Sequence, residues 1–241
     1  MDIKKQYWED SYKRQENHMF YPKEETVKFI NRFIRKRTGF DSYGAFLIDG
    51  GGGGSRALDF GCGVGRITAL MCEFGIDAYG IDISENAISQ AKGLLKMEGF
   101  DPQRVATYNG EHIPFSDNFF DFTISEGVID SLPFTLAKQL IREIDRVTKK
   151  YFYLSLISSS SITLFDLDSH KDEKDFDGEI IVQEQHEFGT IQSFYNLDKI
   201  NALINGTNFK ISWGELIEHQ NILDKKTHGR YHIVLEKSIA K

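Results

Sequence analysis

The chain has 241 residues, 40% of them apolar and 27% charged, with a formal net charge of −7 at pH 7. That length suits one sizeable core, and the acidic balance argues against a nucleic-acid partner, whose grip rests largely on neutralised phosphates. Two cysteines, Cys62 and Cys72, are too few for a disulfide framework and have no metal-ligand spacing. The N-terminus has no apolar signal core and no apolar run nears the ~18 residues of a membrane span, so a cytoplasmic protein without a membrane anchor is expected.

The opening stretch is rich in aromatic and charged residues, among them Tyr7, Trp8, Tyr12, Phe20 and Tyr21. Pro22 opens a helical pattern with Val27, Ile30, Phe33 and Ile34 on one face. The basic run 32–37 reads as the solvated end of that helix, where cations suit the dipole. Glycines 50–54 have no side chains to pack and read as a loop. Short apolar runs then alternate with helical stretches. Strands are expected at 57–60, 78–83, 105–108, 119–125 and 151–157, and helices at 67–74 and 136–147. Between the second and third strands, Ala87, Ile88, Ala91, Leu94 and Leu95 form a helical stripe capped by Ser84. This alternation predicts an α/β fold with a parallel sheet covered by helices on both faces. Two strands at 180–185 and 190–195 around Gly189, a helix at 197–204 and two strands at 209–213 and 232–236 complete the chain. The segment 158–195 is too short for its own core, so it reads as an insertion on one domain.

The strand ending at Asp59-Phe60 runs into Gly61-Cys62-Gly63-Val64-Gly65 and then a helix. Glycines there let the backbone turn tightly and let a ligand approach, which suits a nucleotide-like molecule. Three companions sharpen that reading. Asp59 precedes the loop, and Arg66 stands where a dinucleotide fingerprint has its third glycine. An acid at that place disfavours a pyrophosphate and favours a ligand with a cationic ammonium, as S-adenosylmethionine (SAM) has. Asp82 ends the next strand, 21 residues beyond Gly61, where a carboxylate can accept from both ribose hydroxyls. The stretch Asn109-Gly110-Glu111-His112-Ile113-Pro114-Phe115 follows the third strand.

Together these motifs resemble the class I SAM-dependent methyltransferase family in its small-molecule branch. Residues 58–66 resemble its first motif, Gly80-Ile81-Asp82-Ile83-Ser84 its second-strand motif, 109–115 with Phe120-Asp121 its adenine loop, and 142–147 the helix before its fifth strand. The resemblance implies a Rossmann-like, doubly wound, mostly parallel seven-stranded sheet with an antiparallel last strand. It implies one domain over 1–241, with a helical lid segment at 1–49, a SAM-binding core at 55–157 and an acceptor-facing insertion at 158–195. It gives Asp59 and the backbone of Gly61, Cys62 and Gly63 to the methionine part of SAM, and Asp82 to the ribose with Ile83 packing on the adenine. Asn109, Gly110 and Glu111 are implied at the adenine, and Ser125, Glu126 and Gly127 beside the reactive methyl. Two departures stand out: Asn109 replaces the family's usual Asp, and Thr148-Lys149-Lys150-Tyr151 replaces a Lys-Pro-Gly-Gly turn.

The implied reaction moves the methyl of SAM to an oxygen or nitrogen of a small-molecule acceptor, a metabolite or saccharide, leaving S-adenosylhomocysteine. A hydroxyl acceptor would benefit from a general base, for which His186, Glu187, Glu126 and Asp130 are candidates. Tyr12, His18 and Tyr21 are expected either to form a lid or to pack the N-terminal segment on the core. Rival readings are a non-catalytic SAM-binding subunit, a nicotinamide-dependent oxidoreductase, and a protein or RNA methyltransferase.

Overall fold

The computed structural model describes residues 2–16, 19–48, 54–164, 178–182 and 190–237. In chain order these form helix α1 (Asp2–Lys13), then α2 (Glu24–Phe29) continued by a π turn (Ile30–Ile34). The hairpin strands β1 (Arg35–Arg37) and β2 (Tyr43–Phe46) follow. Next come β3 (Arg56–Phe60), α3 (Arg66–Glu73), β4 (Asp77–Asp82), α4 (Glu85–Met97), β5 (Val105–Thr107), β6 (Phe120–Glu126), α5 (Phe134–Val147) and β7 (Thr148–Ile157). The rest comprises β8 (Glu179–Ile181), β9 (Ile191–Ser193), α6 (Leu197–Ile204), β10 (Phe209–Gln220) and β11 (Thr227–Lys237).

Seven strands form one mixed sheet in the order β10-β11-β7-β6-β3-β4-β5. Strand β3 pairs in parallel with β4 and β6, β4 pairs in parallel with β5, and β10 and β11 are antiparallel. This is the Rossmann-like α/β architecture that the alternation of apolar runs predicts. Strand β3 is buried from Ala57 to Phe60, as a central parallel strand covered on both faces should be.

The chain divides into two compact units, Met1–Ser125 with Arg146–Tyr153, and Glu126–Asp145 with Leu154–Lys241. In the first, Phe29 of α2 stacks on Tyr153 with ring centroids 4.9 Å apart and meets Phe122 edge-on at 5.9 Å. Tyr79, Phe115, Phe119 and Phe120 form a second aromatic group. Arg146 holds the long connection before β6 by donating to the carbonyls of Ile113 and Phe115. In the second unit, Ile157, Ile180 and Phe194 pack together, and Asp145 binds Lys237 and the Asn208 amide.

Three local expectations change. The basic run 32–37 is a helix end only as far as Ile34: Arg35–Arg37 pair with Tyr43–Phe46. Arg35 donates to the carbonyls of Gly44 and Phe74 and lies over the rings of Tyr43 and Phe46, and these contacts draw the run into a strand. Strands β10 and β11 extend well beyond 209–213 and 232–236. Their antiparallel pairing continues to Gln220↔Thr227 through mostly exposed residues, Leu216 among them, whereas the expected apolar runs mark only one end of the pair. Helix α5 passes into β7 without a turn between Val147 and Thr148, and the Thr148 hydroxyl bonds that of Thr123 at 2.6 Å. The expected strands around Gly189 exist as the short antiparallel pair β8 and β9, while residues 183–189 lie outside the described residues.

Gly65 precedes α3 with φ at +86°, and a Cβ on it would lie 2.9 Å from the Ala91 Cβ of α4. Replacing it with alanine imposes a left-handed backbone on a side chain and pushes α3 from α4. Gly65→Ala should therefore lose about 1–3 kcal/mol of stability, read as a lower urea midpoint. An unchanged midpoint would contradict the packing described.

Candidate functional site

The chain order around the sheet reverses at β3, with β4 and β5 on one side and β6 on the other. In open α/β sheets the crevice outside the carboxyl ends of the strands at such a switch point receives the ligand. Most of the expected site residues sit at these ends. Asp59 lies in β3 and the loop 61–65 follows it; Asp82 ends β4; Asn109–Glu111 begin two residues after β5; Ser125 is the penultimate residue of β6.

The loop is tied down by its own amides. Gly61 and Cys62 both donate to the Ile81 carbonyl, at 2.8 and 3.0 Å, and Gly65 donates to the Cys62 carbonyl at 2.9 Å. The Gly63 amide donates to Asp82 Oδ2 at 3.0 Å. Gly80 lies under this loop: a Cβ there would lie 2.6 Å from Thr68 Oγ1 and 2.9 Å from Cys62 Sγ. Cys62 itself is buried, and desolvation together with the charges of Asp59 and Asp82 pushes its thiol well above the usual range.

Two carboxylates give the site its charge. Asp59 is 1% exposed and accepts from Thr68 Oγ1 at 2.7 Å. Asp82 is 8% exposed; its Oδ1 accepts from the Ser84 amide at 2.9 Å while Oδ2 takes Gly63. Burial raises the Asp82 pKa above the usual carboxylate range, the amides of Ser84, Gly63 and Ile83 oppose that rise, and the Glu9 charge adds to it. Ile83, expected at the adenine, is half-buried between Asp82 and Ser84.

Asn109 plays a different part from the one expected. Its Oδ1 accepts from the amides of Glu111 and His112, at 3.0 and 3.1 Å, so the side chain builds the turn of its own loop. Gly110 within that turn is buried with φ at +80°, and Glu111 is exposed. Ser125 is fully buried and its Oγ has no hydrogen-bond partner among the described residues. A buried hydroxyl without a partner is costly, which makes it a natural contact for a ligand atom. Glu126 ends β6 and is 8% exposed; Gly127 follows with φ at +71°.

The candidate bases fare unequally. His186 and Glu187 lie outside the described residues. Asp130 is 1% exposed, pairs with Arg230 at 2.8 Å and accepts the Ile157 amide, an arrangement that anchors its own unit. Of the aromatic lid, Tyr12 lies over the glycine loop, and a Cβ on Gly63 would sit 2.6 Å from its Oη. Burial, then the Asp82 charge, pushes its phenol well above the usual range. Tyr21 is 87% exposed and takes no part, and His18 lies outside the described residues. Sequence reasoning missed Glu9 of α1, whose carboxylate reaches the start of α4. Its partners are 75–77 positions away, and no local pattern signals them.

A family model described as a methyltransferase domain matches residues 58–154. That match takes in 97 of the 241 residues, under half of the chain. The matched stretch runs from β3 into β7 and holds the glycine loop, Asp82, Asn109 and Ser125. A demethylmenaquinone methyltransferase of Geobacillus stearothermophilus is 30% identical over 115 residues, 46% of this chain and 48% of that protein. The chain spans about half the length of the curated relatives it matches. Among solved structures, a SAM-dependent methyltransferase from Methanosarcina mazei has a TM-score of 0.64 at 22% identity, covering 78% of this chain and 94% of that one. Magnesium protoporphyrin IX methyltransferase from Synechocystis, solved with S-adenosylhomocysteine, has a TM-score of 0.58 at 18% identity, covering 79% and 77%. At these identities the two structures show a shared fold alone. No described helix is long and apolar enough to cross a membrane.

If Asn109 is the turn-builder described, Asn109→Ala should free the Glu111 and His112 amides. Their hydrogen exchange should accelerate about tenfold, while exchange in β3 and β4 stays as in the parent protein. Equal exchange rates at 111 and 112 would refute that role.

Proposed function

We propose that this protein is a SAM-dependent methyltransferase that binds SAM at the loop 61–65 and methylates an oxygen or nitrogen of a small-molecule acceptor, a metabolite or saccharide. One observation carries the choice of cofactor. The amides of Gly61, Cys62 and Gly63 are engaged within the protein, and the charge beside them comes from buried Asp59 and Asp82. Such a loop is a poor cradle for a pyrophosphate, which needs free amides and positive potential. It suits a ligand that brings its own donors and positive charge: an ammonium, a sulfonium and two ribose hydroxyls. The partnerless Ser125 hydroxyl fits the same ligand.

When bound, SAM supplies a methyl activated by its sulfonium. The residues of the chain bind and orient. Asp59 and the carbonyl groups of the loop face the ammonium end, Asp82 accepts from the ribose hydroxyls beside Ile83, and the 109–111 turn with Gly110 and Glu111 lies along the adenine. Ser125, Glu126 and Gly127 stand at the methyl end, and Glu126 and His186 are the candidate bases. In the transfer, the acceptor's lone pair forms the new bond to carbon as the carbon–sulfur bond breaks. The bonding pair stays on sulfur, giving S-adenosylhomocysteine, and the acceptor's proton leaves to a base or to water. The gain comes from alignment in a site that excludes water.

Calorimetry should detect SAM binding and no NAD binding, and Asp82→Ala should raise the SAM dissociation constant more than about tenfold by removing paired hydrogen bonds. NAD binding with no response to SAM would overturn the cofactor. Transfer of labelled methyl into small-molecule pools, tested alongside protein and RNA, would identify the acceptor class.

A further inference from the structure

Asp130 lies just beyond the carboxyl end of β6 and is buried. Its Oδ2 accepts from the Ile157 amide at 2.9 Å and from Arg230 Nη1 at 2.8 Å, and its main-chain carbonyl accepts from Gln192 Nε2 at 2.9 Å. These bonds fix the residue. Its other carboxylate oxygen, Oδ1, is buried without a hydrogen-bond partner among the described residues. Arg230 of β11 bonds through Nη1, to Asp130 and to Ser155 Oγ at 3.3 Å. Its Nε and Nη2 make no hydrogen bond among the described residues, and its side chain is 16% exposed.

Tyr195 supplies a second such atom. Its amide donates to the Ile157 carbonyl at 2.9 Å and its own carbonyl accepts the Ser159 amide at 2.7 Å, which holds it at the carboxyl end of β7. The residue is 0% exposed, yet its Oη has no partner among the described residues. The Ser193 hydroxyl near it is committed to Glu179 and Lys199, at 3.3 and 2.9 Å. Burial pushes the phenol up, Ser193 opposes that rise and the charges of Asp130 and Glu179 add to it, so the group stays protonated at neutral pH.

Buried polar atoms without partners are costly, and two of them at the ends of neighbouring strands point to a ligand that completes them. Their chemistry says which. Asp130 Oδ1 accepts, while the Tyr195 phenol and the unused Arg230 nitrogens donate. Arg230 balances the charge of Asp130, and Lys199 balances Glu179 across the hydroxyl both touch. An anion would meet Asp130 and a cation Arg230, so net charge gains nothing here. A hydroxyl both donates and accepts, and two adjacent hydroxyls answer the whole set.

We propose that Asp130, Arg230 and Tyr195 bind the methyl acceptor and select a neutral molecule carrying vicinal hydroxyls. The inference rests on the SAM reading above and narrows its acceptor to a polyol. It places the acceptor's polar contacts chiefly on β11 and on the turn after β6, outside the segment 158–195.

The test uses the full chain with a small-molecule extract as acceptor pool, one portion oxidised with periodate, which cleaves vicinal diols, and quenched. The parent protein should move labelled methyl from SAM into the untreated pool and lose more than about tenfold of that transfer in the oxidised one, because a site built to bond hydroxyls rejects acceptors that lack them. Tyr195→Phe removes an oxygen that nothing in the ligand-free protein bonds. Its urea midpoint should equal or exceed the parent's and its SAM affinity by calorimetry should match, while the half-saturating pool concentration rises about tenfold. A lower midpoint or an unchanged pool dependence in Tyr195→Phe would overturn the role of the phenol. Equal transfer to both pools, or transfer to neither, in a parent that binds SAM would overturn the polyol site and leave the cofactor reading standing. A parent protein that binds no SAM would take down both.

Discussion

One carboxylate ties the site together. Asp82 ends β4 and binds two amides at once, Gly63 from the loop after β3 and Ser84 at the start of α4. Two crossovers that leave adjacent parallel strands are thereby fastened at one point, and that point lies at the switch of the sheet. Its burial keeps the carboxyl costly to ionise, while the amides offset part of that cost. A ligand that donates hydrogen bonds to the same group would complete what the amides begin.

The loop's own hydrogen bonds decide what kind of ligand that is. A glycine loop before a helix commonly offers free amides to phosphate. Here the two amides after β3 close on the Ile81 carbonyl, and close packing over Gly80 keeps them there. With those amides engaged and two buried acids, Asp59 and Asp82, beside them, the loop is the inverse of a phosphate cradle. The same glycine spacing can thus serve opposite chemistries, and the strand beneath settles which one.

The N-terminal helix adds a second layer of dependence. It meets the loop through Tyr12 and meets α4 through Glu9, and both routes end at the residues Asp82 binds. The Asp82 contacts and the docking of α1 are therefore parts of one hydrogen-bonded assembly.

The alternation of apolar runs with helical stripes made the order of β3 to β7 legible, because burial on both faces leaves a signature along the chain. Asp59, Gly61, Gly63, Asp82 and Ser125 were legible too, since each lies at a fixed offset from a strand end. Asn109 was legible as a position but not as a role: whether its oxygen faces a ligand or its own turn depends on backbone angles at 110–112. The strand at 35–37 and the length of β10 and β11 were misread because strand pairing through exposed or basic residues has no apolar period. By itself, then, the sequence determined the α/β class, the glycine loop and the acids around it, all properties of short local stretches. Only the tertiary structure decided that the loop's amides are engaged and that Glu9 of α1 bonds the start of α4, because those bonds join residues far apart in the chain.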